Sequence, residues 1–201
     1  MGDRGRSGIV LASTSPQRRA ILERLGLPFR VVAPTYAEVP IPGSPEEVVA
    51  ARALGKAASV AAITADRPVL GVDTEVVLDG EVLGQPADAA EARAMLARLA
   101  GREHRVLSGV AVLGAREATG VEETRVRLIP LDDARLDAEV ARGEWRGRAG
   151  GYAIQESGGG LVAAIDGDYD NVVGLPVALM HRLLADACAD SPPPGGNPVR
   201  R

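Results

Sequence analysis

Short apolar runs and helical stripes alternate along the chain. Gly8 to Ala12 is a run of strand type that stops at the polar Ser13-Thr14-Ser15. Ser15 stands where a helix N-cap belongs and Pro16 takes the first helical position. Ile21, Leu22 and Leu25 form one apolar face, which Gly26 and Pro28 terminate. Phe29 to Ala33 reads as a second strand. Ser44-Pro45-Glu46-Glu47 is a capping box that opens an Ala-rich helix to about Ile63. Val69 to Leu83 reads as two strands joined by the hairpin turn Asp79-Gly80. Asp88-Ala89-Ala90-Glu91 is another capping box, with Ala92, Met95, Leu96 and Leu99 on one face before Gly101. His104 to Leu113 and Val121 to Ile129 have strand character, with a turn containing Gly and charge between them. Leu131 to Arg142 is an amphipathic helix with Leu136 and Val140 inward. Gly147 to Gly160 is a Gly-rich loop expected to surround a short strand. Leu161 to Ile165, the turn Asp166-Gly167 and a helix from Pro176 to Cys188 follow. Strands interspersed with helices, one hairpin among them, predict an α/β fold with a mixed twisted sheet and flanking helices.

Composition narrows this picture. The 201 residues, 46% of them hydrophobic, suffice for one domain, expected over residues 8–188. The ends, 1–7 and 189–201, are polar or rich in Pro and Gly and are expected to be disordered. A net charge of −4 with no basic block argues against a nucleic acid polymer as partner, though not against a single nucleotide. The lone Cys188 fits a reducing compartment. The absence of any apolar run long enough for a signal peptide or membrane span adds to an expected cytoplasmic location without membrane contact. Of the 23 basic residues only Lys56 is a lysine, which suggests either an arginine-rich coding bias or a position that needs a compact ammonium.

Two segments carry candidate chemistry. A helix start offers unpaired N–H groups and a positive dipole end, so Ser13 to Arg18 can grip phosphate, with hydroxyls from Ser13 and Ser15 and a guanidinium from Arg18. Alone, the segment equally fits an ordinary Ser-Pro helix cap. Gly71-Val72-Asp73-Thr74 ends an apolar stretch, where a carboxylate can hold a divalent cation or polarise water; alone, a turn-forming Asp-Thr pair is the better reading. Glu38 is a possible second carboxylate, and Glu38 with Asp73 would satisfy a Mg²⁺ ion that also binds phosphate oxygens. His104 and His181 read as surface residues of a strand and a helix, and Trp145 as packing near the cleft.

Taken in order, the motifs resemble the Maf family. They run from Leu11-Ala12-Ser13-Thr14-Ser15-Pro16-Gln17-Arg18-Arg19 through Glu38, Lys56-Ala57 and Gly71-Val72-Asp73-Thr74 to Leu83-Gly84-Gln85-Pro86. Gly101, Ser108-Gly109, Gly143-Glu144, Ala149-Gly150-Gly151-Tyr152-Ala153-Ile154-Gln155 and Asn171-Val172-Val173-Gly174-Leu175-Pro176 continue the series. The resemblance implies a nucleoside triphosphate pyrophosphatase that uses a divalent cation, Mg or Mn, and has a deep cleft similar to that of the inosine triphosphate pyrophosphatases. It gives Asp73 the role of activating water, Ser13, Arg18 and Lys56 phosphate contacts, and Glu38 a place beside the metal. Gln17, Thr74 and Gln155 match positions that set substrate specificity. Thr74 and Gln155 resemble the dTTP/UTP subgroup more than the 7-methyl-GTP subgroup. A homodimer is implied in the same way. Gln17 replaces an Arg usual in the pyrimidine subgroup, Gln85 a Lys usual before Pro86, and Arg148 a common Lys, so the phosphate site is expected to be short of cations. A non-catalytic nucleotide sensor acting in cell division and a phosphatase releasing single phosphates are the rival readings; the presence of both Glu38 and Asp73 favours the pyrophosphatase.

Overall fold

The computed structural model describes residues 8–155 and 160–189. Its centre is a seven-stranded mixed sheet. The strands are β1 (Ile9–Ala12), β2 (Phe29–Val31), β3 (Val69–Leu78), β4 (Glu81–Val82), β5 (Glu103–Leu113), β6 (Glu117–Leu128) and β7 (Val162–Asp166). The order is β2-β1-β3-β5-β6-β7, with β4 paired to β3 outside this path. β1 is parallel to β2 and β3, whereas β3, β5, β6 and β7 pair antiparallel in succession. The helices are α1 (Pro16–Arg24), α2 (Pro45–Ala61), α3 (Ala89–Leu99), α4 (Asp133–Arg142), α5 (Tyr169–Val173) and α6 (Val177–Cys188).

Alternation of side chains along the central strands sorts the core onto two faces. Val10, Ala12, Val69 and Ala111 meet Ala53, Ala57 and Val60 of α2 on one face. Two glycines let that helix lie close. A Cβ on Gly71 would stand 2.2 Å from the Ala53 carbonyl oxygen, and one on Gly109 2.2 Å from that of Val49. The other face carries two separate apolar clusters. Ile9, Leu11, Leu70, Val72, Val110 and Val112 lie beneath α1 and α6. Val76, Leu78, Val106 and Val126 lie beneath α3 and α4. Between the two clusters the same face presents the polar Thr74 and Ser108, which are register partners on β3 and β5. The gap between the two helix groups is the cleft.

Local signals place most of these elements. Ser15 caps α1 with Pro16 at the first position, and Ser44 with Glu47 forms a complete capping box on α2. At α3 the Asp88 side chain accepts from the Glu91 N–H, but the Glu91 carboxylate accepts from Ala87 rather than from the cap residue. Asp79 and Gly80 both have positive φ, as the two-residue hairpin requires.

Four details differ from the sequence reading. β6 begins at Glu117 rather than Val121, because Glu117 to Gly120 complete the ladder to β5 and leave only a short connection. Gly120, read as part of a turn, lies within the strand, where a Cβ would meet Leu179 of α6 at 2.8 Å. The short helix α5 carries no periodic stripe that sequence could show. It is tied down by the buried Asn171, whose Nδ2 donates to the Val106 carbonyl and to Thr124 Oγ1. The described part of the Gly147 to Gly160 segment contains a 3₁₀ turn at Ala149–Gly151 instead of a strand, with positive φ at Gly150 and Gly151. The terminal segments 1–7 and 190–201 lie outside the described residues, as do 156–159.

Candidate active site

β3 carries the site on both of its faces. Its odd-numbered positions point toward α2, and there Asp73 meets Lys56. The Lys56 ammonium donates to Asp73 Oδ1 at 2.5 Å and lies 2.6 Å from Glu38 Oε1. One helical turn earlier on α2, Arg52 Nη1 lies 2.6 Å from Glu75 Oε1 and 3.9 Å from both Asp73 Oδ2 and Glu38 Oε2. Glu38, Asp73, Glu75, Lys56 and Arg52 therefore share one polar chamber of about 510 Å³, which Arg18 and Thr74 also border. Burial of charge is costly unless it is paired, and Asp73 is only 5% exposed. The hydrogen bond from Lys56 holds the Glu38 carboxyl below its ordinary range, against a smaller opposing effect of burial. Burial pushes Glu75 up to about 7, reinforced by the neighbouring Asp73 charge and opposed by Arg52.

Asp73 Oδ2 is buried without a hydrogen-bond partner among the described residues. That oxygen is a free acceptor facing a charged chamber, and a divalent cation or a water fits it. Among the described residues no three His, Cys, Asp or Glu side chains converge closely enough to cage a metal by themselves. The chemistry suits an ion such as Mg²⁺, which takes one or two carboxylates and completes its shell with phosphate oxygens and water.

The even-numbered positions of β3 point into the cleft. Thr74 Oγ1 shares a 2.8 Å hydrogen bond with Ser108 Oγ and accepts from Arg18 Nη2 at 3.1 Å. Arg18 also donates from Nη1 to Ser13 Oγ at 3.1 Å and from Nε to the Gly174 carbonyl at 2.9 Å. All of these partners are uncharged, and Arg18 forms no ion pair among the described residues. Burial pulls its pKa down while the more distant Asp73 and Glu38 charges oppose that. A desolvated guanidinium held only by neutral oxygens is a receptor for an anion.

Ser15 places the start of α1 beside it. The Ser15 N–H donates to Ser13 Oγ at 3.2 Å, so both hydroxyls border the groove formed by residues 12–18, Glu38 and Lys56. Gln17 faces the cleft from the first turn. With its amide oriented to satisfy both ends, Nε2 donates to Ser15 Oγ at 3.0 Å and Oε1 accepts from both terminal nitrogens of Arg148 at 3.2 Å. A guanidinium from the 147–151 loop thus stands beside the position where the family pattern has a first Arg. Gln85 borders the groove, the chamber and the adjoining pocket alike. Gln155 lines that pocket together with Gln17 and Thr74.

All nine residues singled out from sequence (Ser13, Ser15, Gln17, Arg18, Glu38, Lys56, Asp73, Thr74 and Gln155) line these connected spaces. The difference lies in who touches whom. Lys56, expected against phosphate, bridges the two carboxylates expected to hold a metal. Arg52 and Glu75 were missed, although their spacing carried a signal, and Ser108 entered only as part of the motif Ser108-Gly109, with no role given to it. Glu75 is two residues from Asp73 on one strand face, and Arg52 is four from Lys56 on one helix face.

His104, read as a surface residue, is 2% exposed, because its position on β5 faces the cluster beneath α3 and α4 rather than solvent. His181 is exposed on α6, in keeping with its reading. Trp145 is packing, but it lies away from the cleft, with Nε1 donating to the Val140 carbonyl and Arg146 stacked over its ring.

Among solved structures, a nucleoside-triphosphatase described as a dITP/XTP pyrophosphatase from Mycobacterium abscessus is 19% identical. It covers 68% of this chain and 90% of its own with a TM-score of 0.41, a likeness too distant to carry an argument. Sequence relatives are much nearer. A Symbiobacterium thermophilum protein named dTTP/UTP pyrophosphatase is 48% identical over 178 residues, 88% of this chain and 90% of that protein. A Moorella thermoacetica protein of the same name is 48% identical over 187 residues, 89% of this chain and 94% of its own. The family model described as Maf-like protein matches residues 8–187, and with the motifs of the cleft in the same order the chain belongs to the Maf-like family.

Proposed function

We propose that this chain hydrolyses dTTP and UTP to the nucleoside monophosphate and pyrophosphate. The observation that carries the reading is the two-sided strand β3, with Asp73 in a charged chamber on one face and, on the other, Thr74 over a pocket lined by Arg18, Arg148 and the amides of Gln17 and Gln155. The triphosphate lies along the start of α1, where Ser13, Ser15 and the helix N-terminus donate to its oxygens and Arg18 supplies charge. Asp73 and Glu38 would hold a magnesium or manganese ion, which when bound supplies positive charge to the phosphate oxygens. Asp73 orients a water and takes up its proton as the water attacks the α-phosphorus. The bond from that phosphorus to the bridging oxygen breaks, and pyrophosphate leaves. Lys56 exchanges a carboxylate for phosphate as the charge moves. Most of the acceleration comes from positioning and from charges fixed in advance. Gln155 and Thr74 face the base; the names of the relatives support a pyrimidine with a carbonyl at its recognition edge.

The test is a panel of nucleoside triphosphates with Mg²⁺ or Mn²⁺ and product analysis. Monophosphate with pyrophosphate, fastest for dTTP and UTP, is expected. Diphosphate with inorganic phosphate would overturn the reaction assigned here, and equal turnover of 7-methyl-GTP would overturn the base preference. Two further parts of the proposal are a cytosolic location, supported by the lone Cys188, and a homodimer, supported by the family resemblance and read by sedimentation. Among the described residues no helix is long and apolar enough to cross a membrane.

A further inference from the structure

The strand behind the pocket supports it at two points. Ser108 of β5 holds Thr74, and four residues earlier on the same strand face His104 holds Tyr152. His104 Nε2 and the Tyr152 hydroxyl share a 2.7 Å hydrogen bond, and the two rings meet edge to face at 5.5 Å. Both side chains are buried, His104 at 2% and Tyr152 at 7% exposure. Burial pushes the imidazole down to about 4, so it is neutral at pH 7. His104 Nδ1 has no partner among the described residues. A buried, half-satisfied imidazole lowers stability compared with a phenyl ring of similar shape, so packing alone does not explain a histidine here.

Tyr152 does more than fill the core. Its side chain lines the pocket with Thr74 and Gln155, and it opens the segment Tyr152-Ala153-Ile154 that leads, buried, to the exposed Gln155. Immediately before it, the left-handed Gly150 and Gly151 are tied through backbone alone, the Gly150 N–H to the Gly84 carbonyl at 2.8 Å and the Gly151 N–H to the Arg148 carbonyl at 3.1 Å. Among the described residues, the His104–Tyr152 bond is the side-chain hydrogen bond that anchors this segment ahead of Gln155.

We infer that His104 is a positioning residue for base selection: by fixing the Tyr152 hydroxyl from β5, it sets where Gln155 stands against the base. This rests on the reading of the cleft as a nucleotide site. Among the described residues, neither α1 nor Lys56 hydrogen-bonds to this pair, although Ser15, Gln17 and Arg18 line the same pocket as Tyr152.

The test compares wild type with His104→Phe and with the nearly isosteric Tyr152→Phe, which keeps the ring should the histidine variant fail to fold. For each, kcat and KM are measured on dTTP, UTP and dCTP, with pyrophosphate as a competitive inhibitor. Both variants should lose about tenfold of their discrimination between preferred and rejected bases, through KM, the scale set by one hydrogen bond. Pyrophosphate inhibition should stay unchanged, and the double variant should discriminate no worse than either single one. Unchanged discrimination with a lowered Tm would make the pair a structural contact only and overturn the inference. A wild-type enzyme that selects a base other than these pyrimidines would sink the substrate reading alone, and the same comparison is then made on the base it does select. A wild type with no base preference would sink both.

Discussion

The two faces of β3 solve opposite electrostatic problems with adjacent residues. On the α2 face, Asp73 and Glu75 are answered by Lys56 and Arg52, so charge is compensated inside the fold before any ligand arrives. On the cleft face, Arg18 is surrounded by the Ser13 and Thr74 hydroxyls and the Gly174 carbonyl, so its charge is solvated but not cancelled. One face is a paired cluster that any ligand entering the chamber must rearrange. The other is a preformed receptor. Under the proposed function, substitutions on the first face should act on turnover, and those on the second on binding and choice of base.

Asp73→Asn should break the comparison most severely. It keeps the shape but removes the charge proposed to orient water, and kcat should fall by roughly three orders of magnitude, as for loss of a general base. Retained thermal stability together with unchanged kcat would remove Asp73 from its role. Lys56→Ala should come next. It strands Asp73 with only Arg52 at 3.9 Å, so beyond slower turnover it should cost about 3 kcal/mol of stability, read by denaturant unfolding. A variant as stable as wild type would mean that the chamber tolerates its carboxylates without the bridge.

Thr74→Val belongs to the other face and should be milder. It leaves Ser108 Oγ and one Arg18 nitrogen without their partner, so KM should rise by roughly tenfold while kcat holds. A change in kcat alone would erase the division between the faces.

The smallest effect is in the pH dependence of stability. Folded His104 protonates near pH 4, whereas an unfolded imidazole does so near 6.5. Between those values the unfolded chain binds the extra proton, so His104 makes stability fall as pH drops through that window. Glu75, raised to about 7, acts the other way: folded, it holds a proton that the unfolded carboxyl has released, which favours the folded state toward acid. Comparing wild type with His104→Phe isolates the first contribution. The wild-type midpoint should decline more steeply from about pH 6.5 to 4, and parallel profiles would show that His104 does not titrate with folding.

Much of the cleft is legible without coordinates because its pieces are local. Ser15-Pro16 declares the start of α1, Asp79-Gly80 declares the hairpin behind Asp73, and the capping residue Ser44 sets the phase in which α2 presents Lys56. The missed Arg52 and Glu75 were legible in part, through their i, i+4 and i, i+2 spacing, but spacing does not say that a helix face and a strand face meet. Gly71 decides that, by letting α2 approach the sheet. His104 illustrates the converse. A histidine near the start of a strand has no local mark of burial, and its surroundings are made by Tyr152, 48 positions away.

The amino-acid sequence by itself determined the α/β class, the Ser15-capped helix α1, and the set of residues around the cleft. These follow from backbone preferences within a few residues and from motifs in a fixed order. Tertiary structure alone decided the pairings. It set Lys56 between Glu38 and Asp73, turned Arg148 onto Gln17, drew β6 back to Glu117 and buried His104 against Tyr152. Each depends on surfaces brought together from distant parts of the chain, where the balance of desolvation against charge and hydrogen bonding is set by what the fold places opposite.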